Sequence, residues 1–138
     1  MTEKDQIEIS KRKAKLDIPL IHQFITNSYW VKGRTIKQVK TSINNSECFG
    51  LYLNGKQIGF ARVISDKVVF AYIMDVFVIN NERDNGYASQ LMNHILNDKN
   101  YNQVQQWCLK TKDAHNFYSK FGFKNLDNEQ WFLQHILE

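Results

Sequence analysis

Residues 74–98 constrain the fold of this chain more than any other stretch. An apolar run broken only by Asp75 ends at Ile79 and passes into a polar turn. Gly86 and Ala88 then open a helix that carries Leu91, Met92, Ile95 and Leu96 on one stripe. A second strand–helix pair follows, a short strand over 104–109 and a helix over 114–121. Consecutive strand–helix units set their strands parallel, so the strand around Val76 and the strand around Val104 are expected to pair. The turn between them has a chemical meaning as well. Helix starts expose unpaired backbone N–H groups and the positive end of the peptide dipoles, a setting that suits phosphate.

Two phosphate-binding strings are missing: neither Gly-x-x-x-x-Gly-Lys-Ser/Thr nor Gly-x-Gly-x-x-Gly occurs. In their place stands Arg83-Asp84-Asn85-Gly86-Tyr87-Ala88-Ser89. Small residues at Gly86 and Ala88 let the backbone approach a pyrophosphate closely. Arg83 can hold the loop or face a phosphate, and Ser89 can add a hydroxyl. Taken alone, the same spacing also describes a flexible helix start with no ligand.

The first half reads as an antiparallel meander with two short helices. Gln6 to Lys13 alternates as a half-buried strand. Asp17 caps a helix with Pro19 in its first turn and Leu20, Ile21, Phe24 and Ile25 on one face, and a second helix after Gly33 carries Ile36, Val39 and Ile43. Strands over 49–53 and 57–64 meet at Asn54-Gly55, a strong hairpin signal, and Asp66-Lys67 turns the chain into a strand over 68–79. Residues 131–137 are expected to close the sheet. The expected class is α/β of the α+β kind, a mixed, mostly antiparallel central sheet flanked by helices, with residues 1–138 forming one domain.

Composition narrows the function. A hydrophobic content of 43% supports compact folding, and the net charge of +4 is mild. The cluster Lys11-Arg12-Lys13 lacks interleaved aromatic side chains, so it reads as a solvated edge strand and no nucleic-acid partner is expected. Cys48 and Cys108 lie in apolar runs without CxxC spacing, as reduced buried thiols do. His22, His94, His115 and His135 share no ligand spacing, so no metal is expected. The first residues are charged and no apolar stretch is long enough to cross a bilayer, which predicts a cytoplasmic protein without a membrane partner.

Downstream of the cradle lies Ala114-His115-Asn116-Phe117-Tyr118-Ser119-Lys120-Phe121-Gly122-Phe123. With this block in place the chain resembles the GNAT superfamily of acetyl-CoA-dependent N-acetyltransferases, in its small single-domain bacterial form. The superfamily's pyrophosphate motif, Arg/Gln-x-x-Gly-x-Gly/Ala, matches Arg83 to Ala88, and its Ala-x-x-x-Tyr-x-x-x-Gly-Phe motif matches Ala114, Tyr118, Gly122 and Phe123. Weaker likeness extends to Tyr29-Trp30-x-x-Gly33-Arg34, to Gly59–Val63 and to Asp75–Val78. The chain departs from the pattern at Asp84-Asn85, at Ala88 as the second small residue, and at Thr111, where the superfamily often has Asn.

The resemblance implies the GNAT acyl-CoA N-acyltransferase fold, acetyl-CoA as cosubstrate with CoA as product, and two splayed parallel strands that hold pantetheine against Val76, Phe77 and Val78. It places Arg83, Asp84, Asn85, Gly86, Tyr87, Ala88 and Ser89 around the pyrophosphate, with Thr111 and Ala114 completing the cofactor-binding set. Tyr118 is the implied acid. A tyrosine titrates near 10 and a thiol near about 8.5, so its hydroxyl can donate to a leaving thiolate. Its helical spacing with Ala114, Phe117 and Phe121 also fits a core aromatic.

Asp75 is the leading carboxylate for the incoming amine. It can take the proton, attract the ammonium while water takes the proton, or accept hydrogen bonds from a neighbouring loop. Tyr29, Trp30 and Arg34 fall in the loop that overhangs the acceptor site in the resembling superfamily. Aromatic walls with Arg34 on a carboxylate and Asp75 on the amine suit a small zwitterion. Arg62 and Asp66 can assist or form internal ion pairs.

Nothing around Cys108 suggests an activated nucleophile, which favours direct transfer over an acetyl-enzyme. The expected function is transfer of the acetyl group of acetyl-CoA to the primary amine of a small molecule, with an amino acid as candidate. A protein or peptide amine as acceptor, and a non-catalytic acyl-CoA-binding regulator, stand as alternatives. A homodimer is compatible with all three.

Overall fold

Strand pairing in the computed structural model, which describes residues 4–27 and 33–137, follows chain order. The strands are β1 (Ile7–Ser10), β2 (Glu47–Leu53), β3 (Lys56–Ser65), β4 (Phe70–Val78) and β5 (Gln106–Leu109). β1 to β4 are antiparallel neighbours, and β5 lies parallel to β4. The sheet is therefore mixed and mostly antiparallel, and the strand–helix repeat has the parallel pair that its order requires.

Local chemistry sets the element boundaries. Asp17 Oδ1 accepts from the Leu20 amide at 3.1 Å and starts α1 (Ile18–Thr26). Thr35 and Gln38 form a reciprocal capping box, with bonds of 3.1 and 2.9 Å, that starts α2 (Ile36–Asn44). Asn54 and Gly55 take φ of 51° and 86° in the tight hairpin between β2 and β3. The Asp66 carboxylate collects the amides of Val68, Val69 and Phe70, so β4 begins at Phe70 rather than at Val68.

The two faces of the sheet bury different helices. Phe49, Ala61, Val63, Ala71 and Ile73 meet Leu91, Met92 and Ile95 of α3 (Tyr87–Leu96). On the other face Cys48, Phe60 and Phe77 meet Ile21 and Ile25 of α1 and Val39 and Ile43 of α2. Each of these larger side chains contributes about 1.5–3 kcal/mol on burial.

Ile73 and Phe77 are four residues apart on one strand, yet they face opposite helical layers. An unbroken strand has period 2 and would put both on one face. The register explains the change: Phe60 pairs Phe77 and Arg62 pairs Met74, so Asp75 and Val76 together oppose Ala61 alone. This is a β-bulge, and Asp75 takes the left-handed φ of 58° that it requires. The extra residue turns Asp75 toward the α1–α2 side, where Arg62 also projects.

Residues 131–137 do not close the sheet, contrary to the sequence expectation. A short turn at Glu129–Trp131 leads into extended chain that pairs with no strand among the described residues. Trp131 is 75% exposed, Leu133 95% and Leu137 94%. The residues are strand formers, but propensity alone makes no strand without a partner edge to pair with.

Candidate active site

The site follows from unequal pairing on the two sides of β4. Toward β3 the register runs to Val78, whereas toward β5 it stops at Ile73 opposite Leu109. Residues 74–78 thus have a strand on one side only. The gap opens into a cavity of about 400 Å³. Tyr72, Met74, Asp75, Val76 and Phe77 form its β4 wall, and Leu109, Lys110, Thr111, Asp113 and Ala114 form the β5 wall. Phe24 and Ile25 of α1 and the Arg34 side chain close it on the α1–α2 side, with Phe24 stacked on Phe77 at 4.2 Å.

Tyr118 stands on α4 (His115–Ser119) and lines the same cavity. Each member of its motif has a physical task. Thr111 Oγ1 accepts from the Ala114 amide at 3.0 Å and sets the helix start. Gly122 adopts φ of 90° just past the helix end, and the Phe123 amide then returns to the Tyr118 carbonyl at 3.3 Å. The rings of Phe117 and Phe123 stand edge-on to the Tyr118 ring at 5.0 and 6.0 Å and hold it in place. Its hydroxyl has no protein hydrogen-bond partner among the described residues. Burial raises the Tyr118 pKa above the ordinary tyrosine value, so the phenol keeps its proton at neutral pH.

Asp75 is deeply placed, its side chain 7% exposed. One oxygen, Oδ2, accepts from Arg34 Nη1 and from Arg62 Nε, each at 3.0 Å. The Arg62 guanidinium also reaches Met74 Sδ at 3.2 Å and Ser46 Oγ at 3.5 Å. The carboxylate that Arg34 meets within the protein is therefore Asp75. Two guanidiniums against one carboxylate leave a net positive charge in this wall, and Arg34, 22% exposed, is the more accessible cation. Oδ1 of Asp75 has no partner among the described residues.

Val78, Arg83, Asp84, Asn85, Gly86, Tyr87, Ala88 and Ser89 do not line the cavity; they form a second feature at the end of β4. Arg83 Nε donates to the Val78 carbonyl at 3.1 Å and its guanidinium lies 5.9 Å from the Phe24 ring, which ties the loop to the strand. Asp84 and Gly86 take left-handed φ of 67° and 77°, and Asn85 Nδ2 reaches the Glu82 carbonyl at 3.4 Å. Gly86 is the N-cap of α3, and no side chain caps that helix. A Cβ at Gly86 would meet nothing within 4 Å, so the left-handed φ, and not crowding, is what favours glycine there. Tyr87 and Ala88 pack on Leu51, Ile58 and Val78 and anchor the helix start to the sheet. The donors and room present suit a pyrophosphate, and the strand segment left open suits a narrow amide-bearing arm.

The structure thus gathers Asp75, Val76, Phe77, Arg34, Thr111, Ala114 and Tyr118 around one cavity. Tyr29 and Trp30 lie outside the described residues. Asp66 holds the turn before β4 and does not line the cavity. Sequence reasoning did not reach Phe24, Tyr72, Met74, Leu109 or Asp113 as cavity residues; for those on β4 and β5 the available signal was the parallel pair, whose parting opens a gap between the two strands. Cys48 and Cys108 are free, and burial raises both thiols above the usual range, which suits packing rather than nucleophilic attack. Among the described residues no group of His, Cys, Asp or Glu side chains is arranged to hold a metal, and no helix is long and apolar enough to cross a membrane.

Comparison with known proteins places this arrangement. A family model described as "Acetyltransferase (GNAT) domain" matches residues 44–125, more than half of the chain. A structure from Xanthomonas campestris pv. campestris, classed as an acetyltransferase of the gnat family, is 34% identical, with a TM-score of 0.92 over 96% of this chain and 94% of that one. A protein of Gibberella zeae classed among acetyltransferases is 26% identical over 85% of this chain and 78% of its own length. An acetyltransferase structure from Clostridium acetobutylicum that contains acetyl-CoA shares the fold, with a TM-score of 0.68, 16% identity and 96% coverage of both chains. The chain belongs to the GNAT acetyltransferase family, the acetyl-CoA-dependent N-acetyltransferases.

Proposed function

We propose that the chain works as one domain that acetylates the primary amine of a small molecule carrying its own anionic group, an amino acid being the simplest case. The observation that carries this reading is the wall formed by Asp75, Arg34 and Arg62, which holds one positive charge in excess beside an uncommitted carboxylate oxygen. Arg34 uses Nη1 on Asp75 and, as a guanidinium, has further donors for a substrate carboxylate. Asp75 Oδ1 attracts the acceptor's ammonium and relays its proton to solvent, leaving the neutral amine that attack requires.

Acetyl-CoA, when bound, supplies the activated acetyl thioester. Val76, Phe77 and Val78 offer strand backbone along the splay to orient the pantetheine arm. Arg83, Asp84, Asn85, Gly86, Tyr87, Ala88 and Ser89 receive the pyrophosphate on loop and helix amides. Thr111 and Ala114 shape the opposite wall. Tyr118 Oη, kept protonated by burial, stands as the hydrogen-bond and proton donor for a leaving thiolate at this wall. No acetyl-enzyme is needed, since acceptor and thioester meet in one cavity.

The free thiols of Cys48 and Cys108 fit a cytoplasmic setting. A homodimer belongs to the same reading. The decisive assay follows CoA release with acetyl-CoA and a panel of amines: amino acids, uncharged amines and peptides. Turnover highest on carboxylate-bearing amines is expected. Equal turnover on uncharged amines would remove the role of Arg34, and turnover on peptides alone would replace the small-molecule reading.

A further inference from the structure

β4 lines the cavity with both of its faces, and the two faces differ. Ile73 and Val76 pack on the side of α3 and α4, where Tyr118 also stands. Strand alternation turns Tyr72 and Met74 to the opposite side, and the bulge adds Asp75 and Phe77 to them. There Phe24, Ile25 and Arg34 close the cavity. Arg34 and Asp75 are the charged residues that this side gives to the lining, and its other members are apolar or aromatic. Lys110, Thr111 and Asp113 follow β5 on the far wall.

The apolar part of this wall does not finish a core. Tyr72 and Met74 are half-buried, and among the described residues neither joins the packed core on either face of the sheet. Phe24 is half-buried as well and stacks on Phe77 at 4.2 Å with 11° between the ring planes, so the wall is fixed before any ligand arrives. Large apolar side chains left half-exposed around one cavity are a surface that a ligand's hydrocarbon completes. Beside them, the ammonium and the carboxylate of an amino acid use the two charges of Asp75 and Arg34. None is left on this side for a charged side chain.

We propose that the acceptor is an α-amino acid with a large apolar side chain, which lies against Phe24, Tyr72, Met74 and Phe77 while its charged ends meet Asp75 and Arg34. This rests on the amino-acid reading of the preceding section and deepens it by naming the side chain. Phe24 and Tyr72 are then specificity-determining residues, since they meet the part of the substrate that does not react. Hydrocarbon moved from water onto such a wall is stabilised in proportion to the area covered. A charged side chain would lose its water there and gain no partner. One methylene in an apolar pocket is worth about 10–200-fold in kcat/KM, so the preference is large enough to measure.

The test is kcat/KM of the full chain at saturating acetyl-CoA, with leucine, methionine and phenylalanine set against glycine, serine, glutamate and lysine. The apolar three are expected about tenfold or more above the rest. In Tyr72→Ala, and separately in Phe24→Ala, the leucine-to-glycine ratio is expected to fall about threefold or more. The ratio is taken within one preparation, so a partly unfolded variant does not mimic that fall. Equal efficiency on all seven, or glutamate or lysine foremost, overturns the apolar side chain while a carboxylate-bearing acceptor stands. An unaltered ratio in both variants overturns the wall assigned to it. Isopentylamine, which is leucine without its carboxylate, turned over as well as leucine overturns the underlying role of Arg34 instead. Turnover of none of the amino acids overturns both.

Discussion

Toward β3, β4 is paired from Ala71 to Val78, and its side chains close two cores; toward β5 the same strand is paired only from Phe70 to Ile73 and then faces a cavity. One side shows how little room a packed sheet leaves: an added Cβ at Gly59 would stand 2.9 Å from the Phe77 carbonyl oxygen. The other side leaves about 400 Å³ for ligands. The bulge at Asp75 and Val76 sits where the two regimes meet. It is held from the β3 side by Arg62 and from the α1–α2 side by Arg34, and it presents its carboxylate to the open side.

The largest effect that can break this contrast lies on the open side. Tyr118→Phe is expected to lower kcat by about 10²–10⁴-fold with little change in KM for acetyl-CoA, because only a proton donor is lost. Burial raises the Tyr118 pKa, so the parent enzyme should hold its rate past pH 10 or so and lose it above, as the phenol deprotonates. In the variant that alkaline fall should vanish. Full activity of Tyr118→Phe across the pH range would assign the residue to packing alone.

Next comes the boundary. Asp75→Asn removes the one negative charge facing two guanidiniums, Arg62 being buried, and should destabilise the fold by about 3 kcal/mol in denaturant titration. It should also raise KM for the acceptor more than for acetyl-CoA. Unchanged stability would mean that the bulge does not depend on its ion pairs.

The smallest effect lies on the closed side. Gly59→Ala should cost about 1–3 kcal/mol through overpacking against Phe77 and leave kcat untouched. A change in acetyl-CoA affinity would show instead that the β3 side transmits strain to the groove.

Much of this molecule is legible in its residue order. Asp17 and Asn54-Gly55 carry their own geometry, since capping and left-handed φ are local properties. Residues 83–88 and 114–123 mark the helix starts and carry the family resemblance, because the left-handed φ at Gly86 and at Gly122 favours glycine at fixed positions. The bulge is not legible there. Val76, Phe77 and Val78 are all apolar, so an extra residue changes which face each one meets without disturbing the pattern. Nor is the partner of Asp75, since Arg34 lies 41 residues away and meets it only once α2 packs on the sheet.

The amino-acid order by itself determined the succession of strands and helices up to residue 121, the parallel pair and the family, because these follow from local periodicity, turn chemistry and short-range motifs. Tertiary structure alone decided that β4 parts from β5 after Ile73, that Asp75 is shared by two guanidiniums, and that residues 131–137 stand off from their own sheet. Each of those depends on which surfaces meet across long sequence separations, and the hydrophobic effect that drives such meetings is non-directional, so the pattern along the chain does not encode their register.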